Sequence, residues 1–350
     1  MRVGMIAPPW FPLPPQGYGG IEFVVSILTE GLVRHGHDVT LFASGDSSTA
    51  AELSYIFARA PFEQIEGGGH LEVAHSLAAY KRAREFDVIH DHDGLASRAM
   101  GALVHHLLGT PVLATLHGPA DKATQQSLGR LRQDVAFIAI SDYQRQGFPD
   151  LRFVATIPNA IDVEHMPFCA EKDDYFLFVG RMIADKGAHT AIDVARRLDE
   201  RLIMIGKVNE GPERAYYAEQ VEPYLSDKIH YRGEVDHETK VELYRRARCT
   251  LFPIQWPEPF GLVMIESLAC GTPVIAMRHG SVPEVMEHGR TGFIVDTADE
   301  MLEAARHIDE IDPAECRRAV EERFGSDAFV AAHEAAYRRL LEEAAQPASG

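Results

Sequence analysis

The chain has 350 residues, 46% of them hydrophobic, with 34 basic against 52 acidic side chains and a net charge of −18. That length exceeds one ordinary core and suits two domains, while the charge excludes a nucleic-acid footprint and weighs against adhesion to an anionic membrane. No apolar run approaches the roughly 18–20 residues of a membrane span, and the start MRVGMIAPPW lacks the apolar stretch of a secretory signal.

The first predicted strand is RVGMIA, followed by the Pro/Gly-rich loop PPWFPLPPQGYGG and a helix in IEFVVSILTEGLVRHGH. The apolar runs DVTLFA, FDVIH, PVLATL, VAFIAI and RFVATIP follow, separated by helical patterns or polar loops. GGGH at 67–70 reads as a loop tip. The polar stretch DVEHMPFCAEKDD at 162–174 reads as a linker. A second series then starts: YFLFVGRM, RLIMIGK, KIHYRG, CTLFPI, TPVIAM and TGFIVD, again with helices between. Strands alternating with helices predict the α/β class with parallel sheets. The expected organisation is two Rossmann-like, doubly wound domains, 1–161 and 175–325, facing an interdomain cleft. A last amphipathic helix at 326–345 is expected to pack back toward the first domain, before a frayed tail. In such folds ligands bind at the carboxyl ends of the strands. The four cysteines, at 169, 249, 270 and 316, contain no C-x-x-C pair, so a reducing cytoplasm is the natural setting.

The stretch PEPFGLVMIESLACGTPVIA holds Glu258 and Glu266 around a predicted helix start near Gly261. Eight helical residues rise about 12 Å, so the two carboxylates are not expected to share a proton. The amides of Phe260, Gly261, Leu262 and Val263 open that helix and suit phosphate or hydroxyl oxygens. Two readings stay open: ligand contacts for both acids, or charge complementarity at the helix end for Glu258 and a solvated face for Glu266. Arg181 and Lys186 follow a strand and precede a helix, so both can point to one place and neutralise a diphosphate. In PQGYGGIE, Gly19 and Gly20 bring backbone amides near a ligand, and the spacing lacks the G-x-G-x-x-G of a nicotinamide site. His117 directly follows the strand PVLATL, at the end where such folds bind ligands. In HDHDG, Asp91-x-Asp93 with His90 and His92 has the look of a metal motif. The competing reading is a polar strand end with a helix cap, and Asp91, His92 and Asp93 are then candidates to face an acceptor.

Glu258 and Glu266 fit the E-x7-E signature of the retaining glycosyltransferases of family GT4, whose fold is GT-B. YFLFVGRMIADKG resembles that family's fvGRl…KG segment, with Arg181 and Lys186 as its R-x4-K. TIPNAID is similar to its viPNGvD, with Ala160 in place of the usual Gly. YRGEVDHETKVELYRRA and ACGTPVIAMRHGSVPEVMEHGRTGFIVD resemble its later segments. The resemblance implies transfer of a sugar from a nucleoside diphosphate sugar, UDP first and GDP second, to an acceptor hydroxyl, with retention and without a metal or other cofactor. It implies that Arg181 and Lys186 hold the diphosphate, that Glu266 accepts from the ribose, and that Glu258 and the amides of Phe260 to Leu262 contact the sugar. It places Arg232 and Gly233, in the segment Tyr231 to Val235, by the base, and His117 by the transferred sugar. The acceptor, whether small molecule, glycan or lipid-linked, falls to the first domain. The alternatives on the same fold are a nucleotide-sugar epimerase and a non-catalytic nucleotide-sugar binder.

Overall fold

The computed structural model describes residues 1–345 except Tyr18, Glu66 and Arg132; the tail read at 346–350 lies outside them. The chain divides into two units, Met1–Ala160 with the segment from Ser326 onward, and Ile161–Gly325.

The first unit is built on seven strands: β1 (Arg2–Ile6), β2 (Asp38–Phe42), β3 (Glu52–Ser54), β4 (Val88–Asp91), β5 (Val112–Thr115), β6 (Ala136–Ala139) and β7 (Phe153–Thr156). They form one parallel sheet in the order β3-β2-β1-β4-β5-β6-β7. Helices α1 (Gly20–Arg34), α2 (Gly69–Tyr80), α3 (Leu95–Leu108), α4 (Lys122–Leu128) and α5 (Asp142–Gln146) connect them. The inner strands read as unbroken apolar runs because helices cover both faces of a parallel sheet; β1, β4, β5 and β6 are buried almost throughout. The three-residue edge strand β3 carries no such run and was not predicted. Gly69 and His70, expected in a loop tip, open α2 instead.

The second unit repeats the plan with β8 (Tyr175–Val179), β9 (Arg201–Ile205), β10 (Ile229–Tyr231), β11 (Cys249–Phe252), β12 (Val274–Met277) and β13 (Gly292–Val295), parallel in the order β10-β9-β8-β11-β12-β13. Its helices are α6 (Ala188–Leu198), α7 (Pro212–Gln220), α8 (His237–Arg246), α9 (Leu262–Ala269), α10 (Val282–Val285), α11 (Ala298–Arg306) and α12 (Pro313–Arg323). The stretch 162–174, read as a linker, belongs to this unit. The Lys172 ammonium donates to the carbonyls of Arg245 and Cys270 and to the Thr272 hydroxyl, and the Arg317 guanidinium donates to the carbonyls of Val163 and Met166. The final helix α13 (Ser326–Ala345) returns to the first unit. There Arg339 donates to the Val154 carbonyl at 3.0 Å, and the buried Tyr337 meets His90.

In both sheets the order reverses beside the first strand of the unit, between β1 and β4 and between β8 and β11. Loops leaving those strands diverge to opposite faces, which opens a crevice at the carboxyl ends. Helices α4, α5, α8, α11 and α12 are capped by Asp121, Ser141, Asp236, Thr297 and Asp312 side chains. Helices α1, α3, α6, α7 and α9 start instead on Gly19, Gly94, Gly187, Gly211 and Gly261, without a side-chain cap. These five follow β1, β4, β8, β9 and β11, inner strands of the two sheets, and α2, after the edge strand β3, starts likewise on an uncapped glycine, Gly68.

Candidate functional site

In the second unit the turn after β8 carries both predicted cations. Gly187 has φ +76°, and a Cβ there would lie 2.0 Å from the Pro253 carbonyl oxygen. Only glycine lets this turn press against the end of β11, where the Gln255 amide donates to the Asp185 carbonyl at 2.7 Å. Lys186 is thereby carried to Glu258, with Nζ 2.7 Å from Oε2 and both side chains mostly buried. The same ammonium stands 5.0 Å from the centre of the Trp256 ring, a cation–π distance. Arg181 donates from Nη1 to Glu213 Oε1 at 3.0 Å. Glu213 is fixed in turn by the Asn209 amide (2.8 Å) and side chain (3.1 Å). Each cation is thus held by a carboxylate, an oxygen pair of the kind a diphosphate also presents.

Glu258 precedes α9, and its carbonyl accepts from the amide (2.9 Å) and hydroxyl (3.0 Å) of Ser281. The Ser281 hydroxyl also reaches the Phe260 carbonyl at 3.0 Å. Gly261 caps α9 at φ +83°, a left-handed conformation, so the amides of Leu262 and Val263 stand at a helix end with no intrahelical acceptor. Glu266 lies inside α9, only 7% exposed. Burial opposes its charge, but the Lys240 ammonium at 2.7 Å and the Tyr244 hydroxyl at 2.9 Å prevail and hold the carboxyl below its usual range. Glu258 and Glu266 have separate partners and form no acid pair. Arg232 and Gly233 continue from β10: the Arg232 amide donates to the Met204 carbonyl (3.0 Å), and the Gly233 carbonyl accepts from the Gly206 amide (2.9 Å).

In the first unit Gly19 and Gly20 lie where α1 begins, Gly19 at φ +144° as its cap. Glu22 in the first turn is 4% exposed, and burial raises its carboxyl to about 7. His117 stands two residues beyond β5 and is partly buried. Its Nε2 is 2.9 Å from Nδ1 of His92, and burial, then Arg98 and His333, press it down to about 3, so both rings are neutral.

Asp91, His92 and Asp93, the residues expected to face an acceptor, are buried, at 0%, 2% and 3% exposed. Strand β4 runs between β1 and β5, so its end lies in the middle of the sheet. Asp91 Oδ2 accepts from the hydroxyls of Tyr80 and Ser97, both at 2.7 Å, and Oδ1 accepts from the Asp93 amide. Asp93 accepts from Ser76 at 3.1 Å. Burial, then Asp91 and Glu72, raise its carboxyl to about 8. His90 is bonded through both nitrogens, to Tyr337 (2.7 Å) and Thr115 (2.8 Å). Within HDHDG both His90 nitrogens, Asp91, Asp93 and His92 Nδ1 are thus engaged, while His92 Nε2 is buried with no hydrogen-bond partner among the described residues. Among the described residues no group of three or more His, Cys, Asp or Glu is placed to hold a metal ion.

Four residues of the second-unit site escaped the sequence reading: Glu213, Lys240, Tyr244 and Trp256. Lys240 and Tyr244 share one face of α8 at four-residue spacing, the one local signal among them. Glu213 is 32 residues from its partner Arg181, and nothing in the sequence pairs them.

Two doubly wound units with site residues at the carboxyl ends of their strands are the architecture of the GT-B glycosyltransferases. Residues 18–165 match the family model "Glycosyltransferase Family 4", and residues 167–323 match "Glycosyl transferases group 1". Among curated relatives, a phosphatidyl-myo-inositol mannosyltransferase of Mycobacterium tuberculosis is 27% identical over 97% of this chain and 93% of its own. A glycogen synthase of the same organism is 26% identical over 93% and 91%. Among solved structures, AviGT4, a glycosyltransferase involved in avilamycin A biosynthesis, superimposes with a TM-score of 0.73 at 25% identity, over 98% of each chain. A sucrose-phosphate synthase from Thermosynechococcus elongatus shares the fold with a TM-score of 0.83 at 22% identity, over 98% of this chain and 99% of that one. The chain belongs to glycosyltransferase family 4, and it is a transferase. Among the described residues no helix is long and apolar enough to cross a membrane.

Proposed function

We propose that the enzyme moves a sugar from a nucleoside diphosphate sugar to an acceptor hydroxyl, with retention and without a metal. In this reading the second unit holds the donor and the first the acceptor. The observation that carries it is the pair of carboxylate-held cations, Arg181 on Glu213 and Lys186 on Glu258, beside the glycine-capped start of α9. A diphosphate offers these cations stronger acceptors than the carboxylates do, and it is the leaving group whose charge must be stabilised. As the bond from the anomeric carbon to the diphosphate breaks, the acceptor oxygen bonds to that carbon on the same face. The acceptor proton passes to the departing phosphate oxygen. Glu258 is tied to Lys186, and Glu266 to Lys240 and Tyr244, so neither stands as a nucleophile for a covalent intermediate. The protein supplies orientation and charge stabilisation. Similar chains carry names as different as phosphatidyl-myo-inositol mannosyltransferase and glycogen synthase.

The test is a thermal-shift panel of nucleoside diphosphates and their sugars, since a ligand bound to the folded state raises the unfolding temperature by mass action. The expected result is stabilisation by one base, uridine first, followed by slow release of free sugar from the matching donor and persistence of that turnover in EDTA. Turnover lost in EDTA and restored by a divalent ion refutes the metal-free mechanism. Conversion of the donor to its epimer, with no sugar released, favours an epimerase on this fold.

A further inference from the structure

Glu266 is almost out of water, yet both its oxygens are met by donors from one helix. Lys240 Nζ is 2.7 Å from Oε1 and Tyr244 Oη 2.9 Å from Oε2. The four-residue spacing sets both on the same side of α8, where they grip the carboxylate like a two-pronged clamp. The clamp is anchored at its inner prong. Tyr244 is fully buried, and its carbonyl accepts from the Thr272 hydroxyl. Lys240 is the outer prong, its side chain 22% exposed. An ionised carboxylate has about four lone-pair positions. The clamp takes two, one on each oxygen, and leaves one on each for a neighbouring pair of hydroxyls.

Resting on the reading above, which gives Glu266 to the ribose, we infer that Lys240 is a positioning residue: it holds the Glu266 carboxylate as the acceptor for the ribose hydroxyls and so sets the preference for ribonucleotides over 2′-deoxyribonucleotides. Lys240 acts through Glu266, and its contribution depends on the surroundings of that carboxylate. Burial favours the neutral acid. Lys240 is the leading group opposing it, followed by Tyr244 and then His237 on the same helix. Just past the end of α9 the neighbouring Cys270 thiol, pushed up to about 12 chiefly by burial, brings no charge. Without the ammonium, burial prevails and Glu266 takes up a proton. A neutral acid is a weaker acceptor, because hydrogen bonds to an ionised group are roughly twice as strong as neutral ones.

The experiment measures binding of UDP and 2′-deoxy-UDP by calorimetry, or of GDP and 2′-deoxy-GDP if guanosine is the stabilising base. The proteins are the wild type, Lys240→Met and Lys240→Arg, with Lys240→Gln as the substitute if the methionine variant does not fold. A hydrogen bond to a charged group predicts a wild-type preference for the ribonucleotide of about tenfold or more. Lys240→Met should lower that preference to about twofold, by weakening the ribonucleotide and leaving the deoxynucleotide nearly unchanged. Lys240→Arg should restore most of it. Between pH 5.5 and 8 the wild-type preference for the ribonucleotide should change little, whereas that of the methionine variant should shrink as the pH falls, the diphosphate's own titration being common to both nucleotides. Equal weakening of both nucleotides by Lys240→Met, with the ratio intact, overturns the inference, because packing or general charge would then explain it. A wild type that binds both nucleotides equally overturns it too. A wild type that binds no nucleoside diphosphate at all overturns the functional reading beneath it, a distinct result.

Discussion

Replacing Lys186 by Met removes the charge and keeps the length of the side chain. The lost pair is short, 2.7 Å, with Lys186 and Glu258 only 22% and 12% exposed. Losing the partner of a largely buried carboxylate costs about 1–3 kcal/mol, and losing the cation–π contact with Trp256 about 0.5–1 kcal/mol. For a unit of this size each kcal/mol lowers the unfolding temperature by about 2–4 °C. The transition state loses more: by analogy with removal of one donor from an oxyanion site, about 3–4 kcal/mol, or 10²–10³ in turnover at saturating donor. The double variant Lys186→Met/Glu258→Gln separates the two effects, since removing both charges leaves no stranded carboxylate. It should recover most of the stability and none of the activity. The assay pairs thermal unfolding with donor-saturated turnover, using the nucleotide sugar that the binding panel selects. Wild-type turnover in Lys186→Met refutes the catalytic role. A double variant no more stable than the single refutes the ion-pair accounting.

Two further predictions concern the first unit. Asp93 holds its proton up to about pH 8 when folded, whereas an unfolded aspartate releases it near pH 4. Between those values the folded state binds the extra proton, so stability falls as pH rises, by about 1.4 kcal/mol per pH unit. Asp93→Asn should remove one proton's worth of that slope in urea unfolding at pH 5.5 and 7.5, and an unchanged slope counts against the buried, protonated acid. Tyr337→Phe removes the hydroxyl 2.7 Å from His90 Nδ1 and should cost about 1–3 kcal/mol. Hydrogen exchange should show α13 opening more readily, and unaltered protection would argue that Tyr337 only packs.

The alternation of strand and helix was legible because parallel strands covered on both faces must be apolar along their length, and runs such as VGMI and FIA show this without reference to any partner. The edge strand β3 was not, since three residues at a sheet margin need no apolar run. The glycines of 67–70 misled for a related reason: glycine lowers helix propensity, but α2 is held by contacts made elsewhere, among them His75 Nε2 at 3.0 Å from the Ala7 carbonyl. The turn bearing Arg181 and Lys186 was readable from its short spacing and its glycines. Its carboxylate partners were not: Glu213 and Glu258 stand 32 and 72 residues away from their cations.

The HDHDG stretch marks the division most sharply. By itself the sequence determined that two acids and two histidines close a strand. Whether those side chains face solvent, a metal or the interior was decided only by the packing of α2, α3, β5 and α13 around them, with Tyr80, Ser97, Thr115 and Tyr337 as donors and acceptors. Backbone preference and hydrophobic periodicity act over a few residues and can be read along the chain. A buried polar group takes its partners from whatever distant segments the fold brings within 3 Å, and that choice is made in three dimensions.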